Sequence, residues 1–416
     1  MMFNKIQRGL SLMILLSCAV VGYAQEEGGT NPNQQVLSYT EYLREVTQNN
    51  LQLLAEKYNV DIANAEIVAS KIIPDPEFTF EVKKEEFNAE LGYSLEMGKR
   101  RARIKAARSE KDLAALELEA FFQELRAEST HAFLDAILQR NLLEVKRNSY
   151  ENMLQLHQSD SIRCQLGEIS ENDARQSKVE AASLLNEVYQ QEADFKSSFV
   201  LLNKYMGKRI GTLGMPIGDI LSLETTHTLD DLIEVALTNR IDVLVANKGI
   251  DVSQSRLKLA RAERRADLGL MIGYERDWHG MWPNRNTVKA GVTVPLKFSN
   301  INKGAVNASK LAVQQSHVVR QSKEMDAQVE VSQAFFDYEA AQKQVNQYKL
   351  GLLEESRQVL EGTVYRYTRG ETAILDVLIA QRTYNEVQEQ YLEALKNYAS
   401  ALVNLEYTCG IWEIQL

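Results

Sequence analysis

Six prolines in 416 residues set the first limit on how this chain can fold: Pro32, Pro74, Pro76, Pro216, Pro283 and Pro295. None lies between residues 77 and 215, and none follows 295. Proline removes a backbone donor and clashes with the preceding helical turn, so these two stretches permit helices of unusual length. Their residues agree, being rich in the helix formers Ala, Leu, Glu, Gln, Lys and Arg. Segment 101–160 spaces Ile104, Leu113, Leu116, Phe121, Leu134, Ile137, Leu138, Leu142, Val145 and Met153 among charges. Such spacing gives narrow apolar stripes, as in a coiled-coil seam.

The chain also repeats itself. "IRCQLGEISENDARQSKVE" (162–180) and "VYRYTRGETAILDVLIAQR" (364–382) both read R-x3-G-E-x4-D. The matched residues are Arg163, Gly167, Glu168 and Asp173, then Arg366, Gly370, Glu371 and Asp376, 203 positions on. Earlier, "YNVDIANAEI" (58–67) answers "KGIDVSQSRL" (248–257) at an offset of 190. The second half is therefore about 13 residues longer, and most of the excess falls in "RDWHGMWPNRN", after residue 275.

Between the helical stretches lie four segments of period two. "EFTFEVK" (77–83) sets Phe78, Phe80 and Val82 against Thr79, Glu81 and Lys83; "AELGYSL" (89–95) sets Ala89, Leu91, Tyr93 and Leu95 against Glu90, Gly92 and Ser94. "LGLMIGYE" (268–275) and "VKAGVTVPL" (288–296) alternate likewise, with Glu275 and Lys289 on the polar side. This is the pattern of strands with one apolar and one polar face. Two half-buried hairpins on a soluble core would read the same. Yet the strands have about the 9–11 residues that cross a bilayer at a tilt, and the Glu, Lys and Gly of the polar face suit a wet lumen. Trp278 and Trp282 suit an aromatic belt. Four strands cannot close a barrel, for which about eight are the minimum, so the chain has to oligomerise to hide its sheet edges.

Segments 98–160 and 303–365 are each about 63 residues, roughly 95 Å as helix. Segments 37–73, 170–206, 229–266 and 372–408 are each about 37 residues, so that two stack end to end along one long helix. The glycine motifs then become the tips of antiparallel helical hairpins, one per repeat. The fold class expected is mainly α with a small β part: long antiparallel helical hairpins forming a tunnel, and four strands per protomer given to a trimeric 12-stranded transmembrane β-barrel, all internally duplicated. The organisation expected is a signal peptide at 1–24, a linker at 25–36, a first repeat at 37–206, a linker at 207–228, a second repeat at 229–408 and a tail at 409–416. The hairpins fall at 77–95 and 268–296, and the tips near 162–170 and 365–372.

The signal reading rests on Lys5 and Arg8 before the apolar run Leu10–Val21, with Gly22-Tyr23-Ala24 as a small-residue cleavage site. Lipoprotein processing at Cys18 competes, but the hydrophobic "AVVGYA" after it makes a poor start for a mature lipoprotein. Removing Lys5 and Arg8 from 47 basic residues leaves 45 against 57 acidic ones, a net charge of −12. An acidic chain repels nucleic acid. Cys164 and Cys409 are too few for a disulfide framework. No later segment holds 18 continuous apolar residues, so any membrane role must be built from strands.

With these features in place the chain resembles the TolC-like outer membrane factors of Gram-negative efflux systems over essentially its whole mature length. The carrying motifs are "IIPDPEFTFE", "SLEMGKRRARIKAA", "VTVPLKFSNINKGA", the two tips, and "RYTRGETAILDVLIAQRTYNEVQEQYLEALKNYASAL". "GKRRAR" looks most like the heavy-metal branch. The resemblance implies a passive homotrimeric duct in the outer membrane, with most of the chain in the periplasm, carrying substrates, heavy-metal cations among them. It implies as partners a periplasmic adaptor (membrane fusion) protein docking on the tips, an inner-membrane pump of the resistance-nodulation-division type, and outer-membrane lipid. The docking residues would be Arg163, Gly167, Glu168, Arg366, Gly370 and Glu371. In the family, carboxylates near the tips bond to a neighbouring hairpin's tyrosine and arginine to close the tunnel. Asp173, Tyr367 and Asp376 match that gate, whereas Thr372 replaces the arginine and Ile379 a second aspartate. Barrel-lumen residues would be Glu81, Lys83, Glu90, Glu275 and Lys289.

Each site has a plainer reading. A turn between antiparallel helices often needs positive φ, which glycine supplies without strain. Ser170 to Asp173 fits a capping box, whereas Asp376 has Ala373 three residues before it. His131, His157, His227, His279 and His317 are scattered without metal-ligand spacing, and no nucleophile elbow or phosphate loop occurs, so neither an enzyme nor a cofactor is expected. The rival from another class is a secreted, soluble coiled-coil scaffold or periplasmic adaptor protein. It explains the helices and leaves the four alternating strands without a purpose.

Overall fold

The computed structural model describes residues 36–84, 86–209, 215–218, 228–278, 286–296 and 301–413. The signal segment, Cys18 and Trp282 lie outside them. Strand β1 (Val36–Ser38) leads into α1 (Tyr39–Asn49) and α2 (Leu51–Ser70). Strands β2 (Glu77–Val82) and β3 (Glu86–Leu95) follow, then α3 (Lys99–Gln165) and α4 (Glu171–Tyr205). Strand β4 (Met215–Ile217) precedes the second repeat: α5 (Leu229–Asn239), α6 (Ile241–Ala262), β5 (Leu268–Asp277) and β6 (Asn286–Thr293). It continues as α7 (Lys303–Gln347), α8 (Leu353–Thr368) and α9 (Ile374–Cys409). At 67 residues α3 is about 100 Å long, so the chain is an elongated stack rather than a globule.

Three levels follow one another along that stack, and each orders four elements alike. The sheet runs β2-β3-β5-β6, all neighbours antiparallel, so the two hairpins join into one sheet. Below it α2 packs on α3, α3 on α6 and α6 on α7. Lower still, α4 packs on α3, α3 on α9 and α9 on α8. Among the described residues every level thus ends in two open edges. The edge helices α2 and α7 both carry exposed apolar residues at helical spacing: Leu51, Leu54, Tyr58 and Ile62 on one, Leu311, Val318, Met325, Val329 and Phe336 on the other.

The main cores lie where the two lower levels meet. One gathers Leu134, Leu232, Val331, Tyr338, Tyr398 and Leu405. The other gathers Tyr42, Val46, Leu125, Phe133, Ile137 and Leu202, with the Tyr42 ring stacked 5.2 Å from Phe133.

Three expectations need correction. Segments 37–73 and 229–266 are each two helices, broken at Asn50 and Arg240, whose backbones are extended (φ −62°, ψ 122° and φ −63°, ψ 126°). Asn50 makes its break itself, accepting from Leu53 N at 2.9 Å and donating Nδ2 to the Tyr205 carbonyl at 2.9 Å. The expected linker 207–228 contains β4, which pairs in parallel with β1, a contact between segments too short to show a period. The expected helix 303–365 is interrupted by a wide turn at Tyr348–Leu352.

Candidate channel wall and tips

The strand register sorts the sheet into two faces. Phe78 lies opposite Leu91, Leu91 opposite Ile272 and Ile272 opposite Ala290. On the other face Glu81 lies opposite Asn88, Asn88 opposite Glu275 and Glu275 opposite Thr287. The apolar face is bare: Phe78 is 68% exposed, Val288 74% and Val292 66%. Burying such a side chain is worth about 1.5–3 kcal/mol, so in water this face is strongly unfavourable. Trp278, 40% exposed, follows β5.

Glycines line one face of the sheet. Gly92, Gly269, Gly273 and Gly291 all occupy polar-face positions. A Cβ on Gly273 would come within 2.9 Å of Glu90 Cγ, and one on Gly291 within 3.0 Å of Met271 Cγ. Glycine in a strand interior is common where neighbouring groups approach this closely. The expected lumen residues Glu81, Glu90, Glu275 and Lys289 lie on this face, with Lys289 paired to Glu275. Lys83 lies one residue past β2 and pairs with Glu81 at 3.5 Å and Glu86 at 3.7 Å.

"GKRRAR" has a structural task where the sheet meets the helices. Gly98 (φ 82°) turns the chain into α3. Lys99 pairs with Asp267, just before β5, at 2.5 Å. Arg100 donates to the Lys71 carbonyl at 2.9 Å. Arg103 donates to the carbonyls of Ser70 (3.1 Å) and Ile72 (2.9 Å) and to both oxygens of Glu96. Two of these cations, Arg100 and Arg103, thus satisfy carbonyls at the end of α2, which its own helix leaves without partners.

The two tips have one backbone. Gly167 (φ 77°) donates to the Cys164 carbonyl at 3.0 Å, and Glu168 to Arg163 at 2.9 Å. Gly370 (φ 74°) donates to Tyr367 at 2.9 Å, and Glu371 to Arg366 at 3.0 Å. This paired bonding closes a helix on a left-handed residue. A Cβ on either glycine would meet nothing within 4 Å. Glu168, Arg366 and Glu371 are exposed; Arg163 is not, its side chain being 16% exposed and turned towards Asp160 and Glu168.

The tyrosine of the expected gate binds another partner. Tyr367 donates its hydroxyl to Asp160 Oδ1 at 2.8 Å, between α8 and α3 of one protomer, and not to Asp173. Burial first, and then this bond, raise the Tyr367 pKa well above that of a free phenol. Asp160 is fully buried, and the Arg163 guanidinium lies 5.1 Å over the Tyr367 ring. Asp173 instead forms the capping box, with its N–H on Ser170 Oγ at 3.1 Å and Ser170 Oγ on its carboxylate at 2.8 Å. Asp376 has a local partner after all, since Thr372 Oγ1 donates to it. Asp160 escaped the sequence reading because the tip motif begins three residues later, at Arg163; its burial was the signal, and burial is not local.

The fold and this wall define a class: a protomer whose strands supply part of a barrel and whose helices supply part of a tunnel. Residues 232–410 match the family model described as "Outer membrane efflux protein". The second repeat is thus similar to that family, and the whole chain shares the fold of solved outer-membrane channels. Over 368 residues it is 23% identical to the cobalt-zinc-cadmium resistance protein CzcC of Cupriavidus metallidurans, covering 87% of each chain. It is similar to the structure of the Campylobacter jejuni CmeC outer membrane channel (TM-score 0.74, 14% identity, 89% of this chain and 85% of that one). It is equally similar to CusC (TM-score 0.74, 15% identity, 90% and 92%).

Proposed function

We propose that three copies of this chain form the outer-membrane duct of a tripartite efflux system, pooling their strands into a 12-stranded barrel above a 12-helix tunnel. The observation that carries this is the coincidence of a bare apolar sheet face with open edges at all three levels. Lipid covers the face, and a second copy covers each edge, β6 and α7 of one protomer meeting β2 and α2 of the next. Hydrocarbon cannot satisfy an open strand edge, so closure and trimerisation are one event. Native mass spectrometry in mild detergent should give three copies, and a stable detergent-solubilised monomer would overturn the barrel. The scaffold alternative makes the opposite prediction for carbonate washing, which releases a peripheral protein and leaves a barrel in the membrane.

The tips are the docking points for a periplasmic adaptor, through Gly167, Glu168, Arg366, Gly370 and Glu371, beneath which an inner-membrane pump supplies the energy. The cargo is heavy-metal cations. The protein named for cobalt, zinc and cadmium resistance supports this, as does the wall, where Glu77, Glu81, Glu86, Glu90, Glu275 and Asp277 outnumber Lys83 and Lys289. Deleting the gene should sensitise cells to these divalent cations more than to organic drugs; the reverse pattern would reject the metal assignment and keep the duct.

A further inference from the structure

Where the bare apolar face of the sheet ends, the charge of the chain changes sign. That face closes on Leu95 opposite Leu268, at the end of the sheet that continues into helices. Residues 96–108 and 261–267, which adjoin these two strands, hold nine cations against three carboxylates, Glu96, Glu263 and Asp267. The chain as a whole has a formal charge of −10.

The excess belongs to one place in the fold. The first ten residues of α3 carry six cations, whereas the first ten of α7, its counterpart in the second repeat, carry Lys303 and Lys310 alone. The other three, Arg261, Arg264 and Arg265, lie at the end of α6. Strands β3 and β5 are neighbours, and so are α3 and α6, so both groups converge beneath the middle of the sheet. Arg265 Nη1 stands 2.7 Å from where a Cβ on Gly98 would lie, so the end of α6 reaches across to the start of α3. The open edges are β2 with α2 and β6 with α7. The patch therefore lies clear of the surfaces that a second copy would cover.

Folding accounts for only part of this charge. Lys99 is taken by Asp267, and Arg103 by Glu96 and the α2 carbonyls. Arg101, Lys105 and Arg264 are exposed and pair with no described residue. Arg101 and Lys105, four positions apart, share one face of α3, turned away from buried Ala106 and Ala107. A helix dipole disfavours cations at an N-terminus, so the stability of α3 gives Arg101 no reason to be basic. The depth suits a membrane border: Lys99 to Lys105 rises about 10 Å, against roughly 5–8 Å for one headgroup layer. Long basic side chains at such a border lay their stems on apolar surface and keep their charge among the headgroups.

We infer that the start of α3 and the end of α6 bind the headgroup phosphates of anionic phospholipid in the periplasmic leaflet, through Arg101, Lys105 and Arg264. There is one such site per protomer, and it fixes the depth of the sheet in the bilayer. The inference rests on the barrel reading given above, because lipid that covers the apolar face brings its headgroups to this border.

The test dopes purified trimers in mild detergent with phosphatidylglycerol or phosphatidylcholine and counts retained lipid by native mass spectrometry. Wild type should keep about three phosphatidylglycerols, one per protomer, and lose phosphatidylcholine. Each cation near an anionic lipid surface contributes roughly a fivefold factor, so the triple variant Arg101→Gln, Lys105→Gln, Arg264→Gln should bind phosphatidylglycerol roughly a hundredfold more weakly. The charge-conserving set Arg101→Lys, Lys105→Arg, Arg264→Lys should bind like wild type, which separates lost charge from a damaged fold. Millimolar inorganic phosphate should displace no lipid, since the adjoining apolar face holds the acyl chains as well. Equal retention of the two lipids by wild type, or of phosphatidylglycerol by wild type and the glutamine variant, would overturn the site. Displacement by phosphate would overturn it too, marking a site for soluble anions. A protein that gives only monomers in detergent would sink the barrel reading and this site together, whereas a trimer indifferent to lipid charge sinks the site alone.

Discussion

Four helices in this chain end on the same left-handed glycine, and the four turns have two different fates. At the tips, Gly167 and Gly370 face open space. At the other ends of α4 and α9, Gly207 (φ 64°) and Gly410 (φ 70°) repeat the bonding pattern, with Lys208 N on the Asn203 carbonyl and Ile411 N on that of Glu406, both at 3.0 Å. There each glycine packs against the helix break of its own repeat. A Cβ on Gly207 would lie 2.1 Å from the Asn49 carbonyl oxygen, and one on Gly410 would lie 3.0 Å from Arg240 Cα. One local motif thus serves as a seam where a neighbour presses on it and as a free surface where none does.

The largest effect should come from the seam. Gly207→Ala forces backbone against backbone in a conformation already strained for alanine, at a cost of more than about 3 kcal/mol. It should abolish trimer accumulation, which thermal unfolding and blotting of envelopes would check. Gly410→Ala, with nearly an ångström more room, should lose about 2 kcal/mol and still assemble. Equal costs at the two positions would mean that strain, and not the neighbour, sets the price.

Gly167→Ala and Gly370→Ala carry the backbone term alone, about 1 kcal/mol each. Gly370→Glu should cost no more than Gly370→Ala in stability, yet stop export, since it adds bulk and charge to the surface proposed above as the adaptor's docking point. Normal export at wild-type protein levels would reduce the tip to a turn. The helices leaving the tips differ as well, for Ser170 caps α4 whereas Ala373 makes no side-chain cap on α9. Ser170→Ala should lose about 1 kcal/mol and Ala373→Ser should gain a similar amount, both read from melting temperatures.

The smallest effect concerns pH. His131 on α3 has its pKa lowered, chiefly by burial, while its bond to Asn404 at 2.8 Å opposes the shift. The unfolded chain therefore binds a proton more readily than the folded one. The stability this gives is complete above the unfolded value of about 6.5 and drains away as pH falls through the lower folded value. His131→Gln should flatten the decline in melting temperature from pH 7 to pH 5; an unchanged slope would assign the decline to other groups.

Much of this was legible in the residues. The proline gaps gave the long helices and period two gave all four strands, because both signals are local and repeated many times. The tips were found because a duplicated chain shows the same turn twice. Gly207 and Gly410 show it twice too, at the same offset, but without the flanking Arg and Glu that drew attention to the other pair.

What composition and spacing could not decide were contacts between distant segments. That "GKRRAR" clamps the end of α2, that Tyr367 binds Asp160 across 207 positions, and that Gly351 breaks its helix all depend on packing. Gly249, Gly304 and Gly362 stay helical with no more sequence warning than Gly351. The reason is angular. A helix turns about 100° per residue, so which side chains meet across two long helices depends on phase and axial offset held to within one residue. Local periodicity determined the elements of this protein, and only the packed structure fixed that phase.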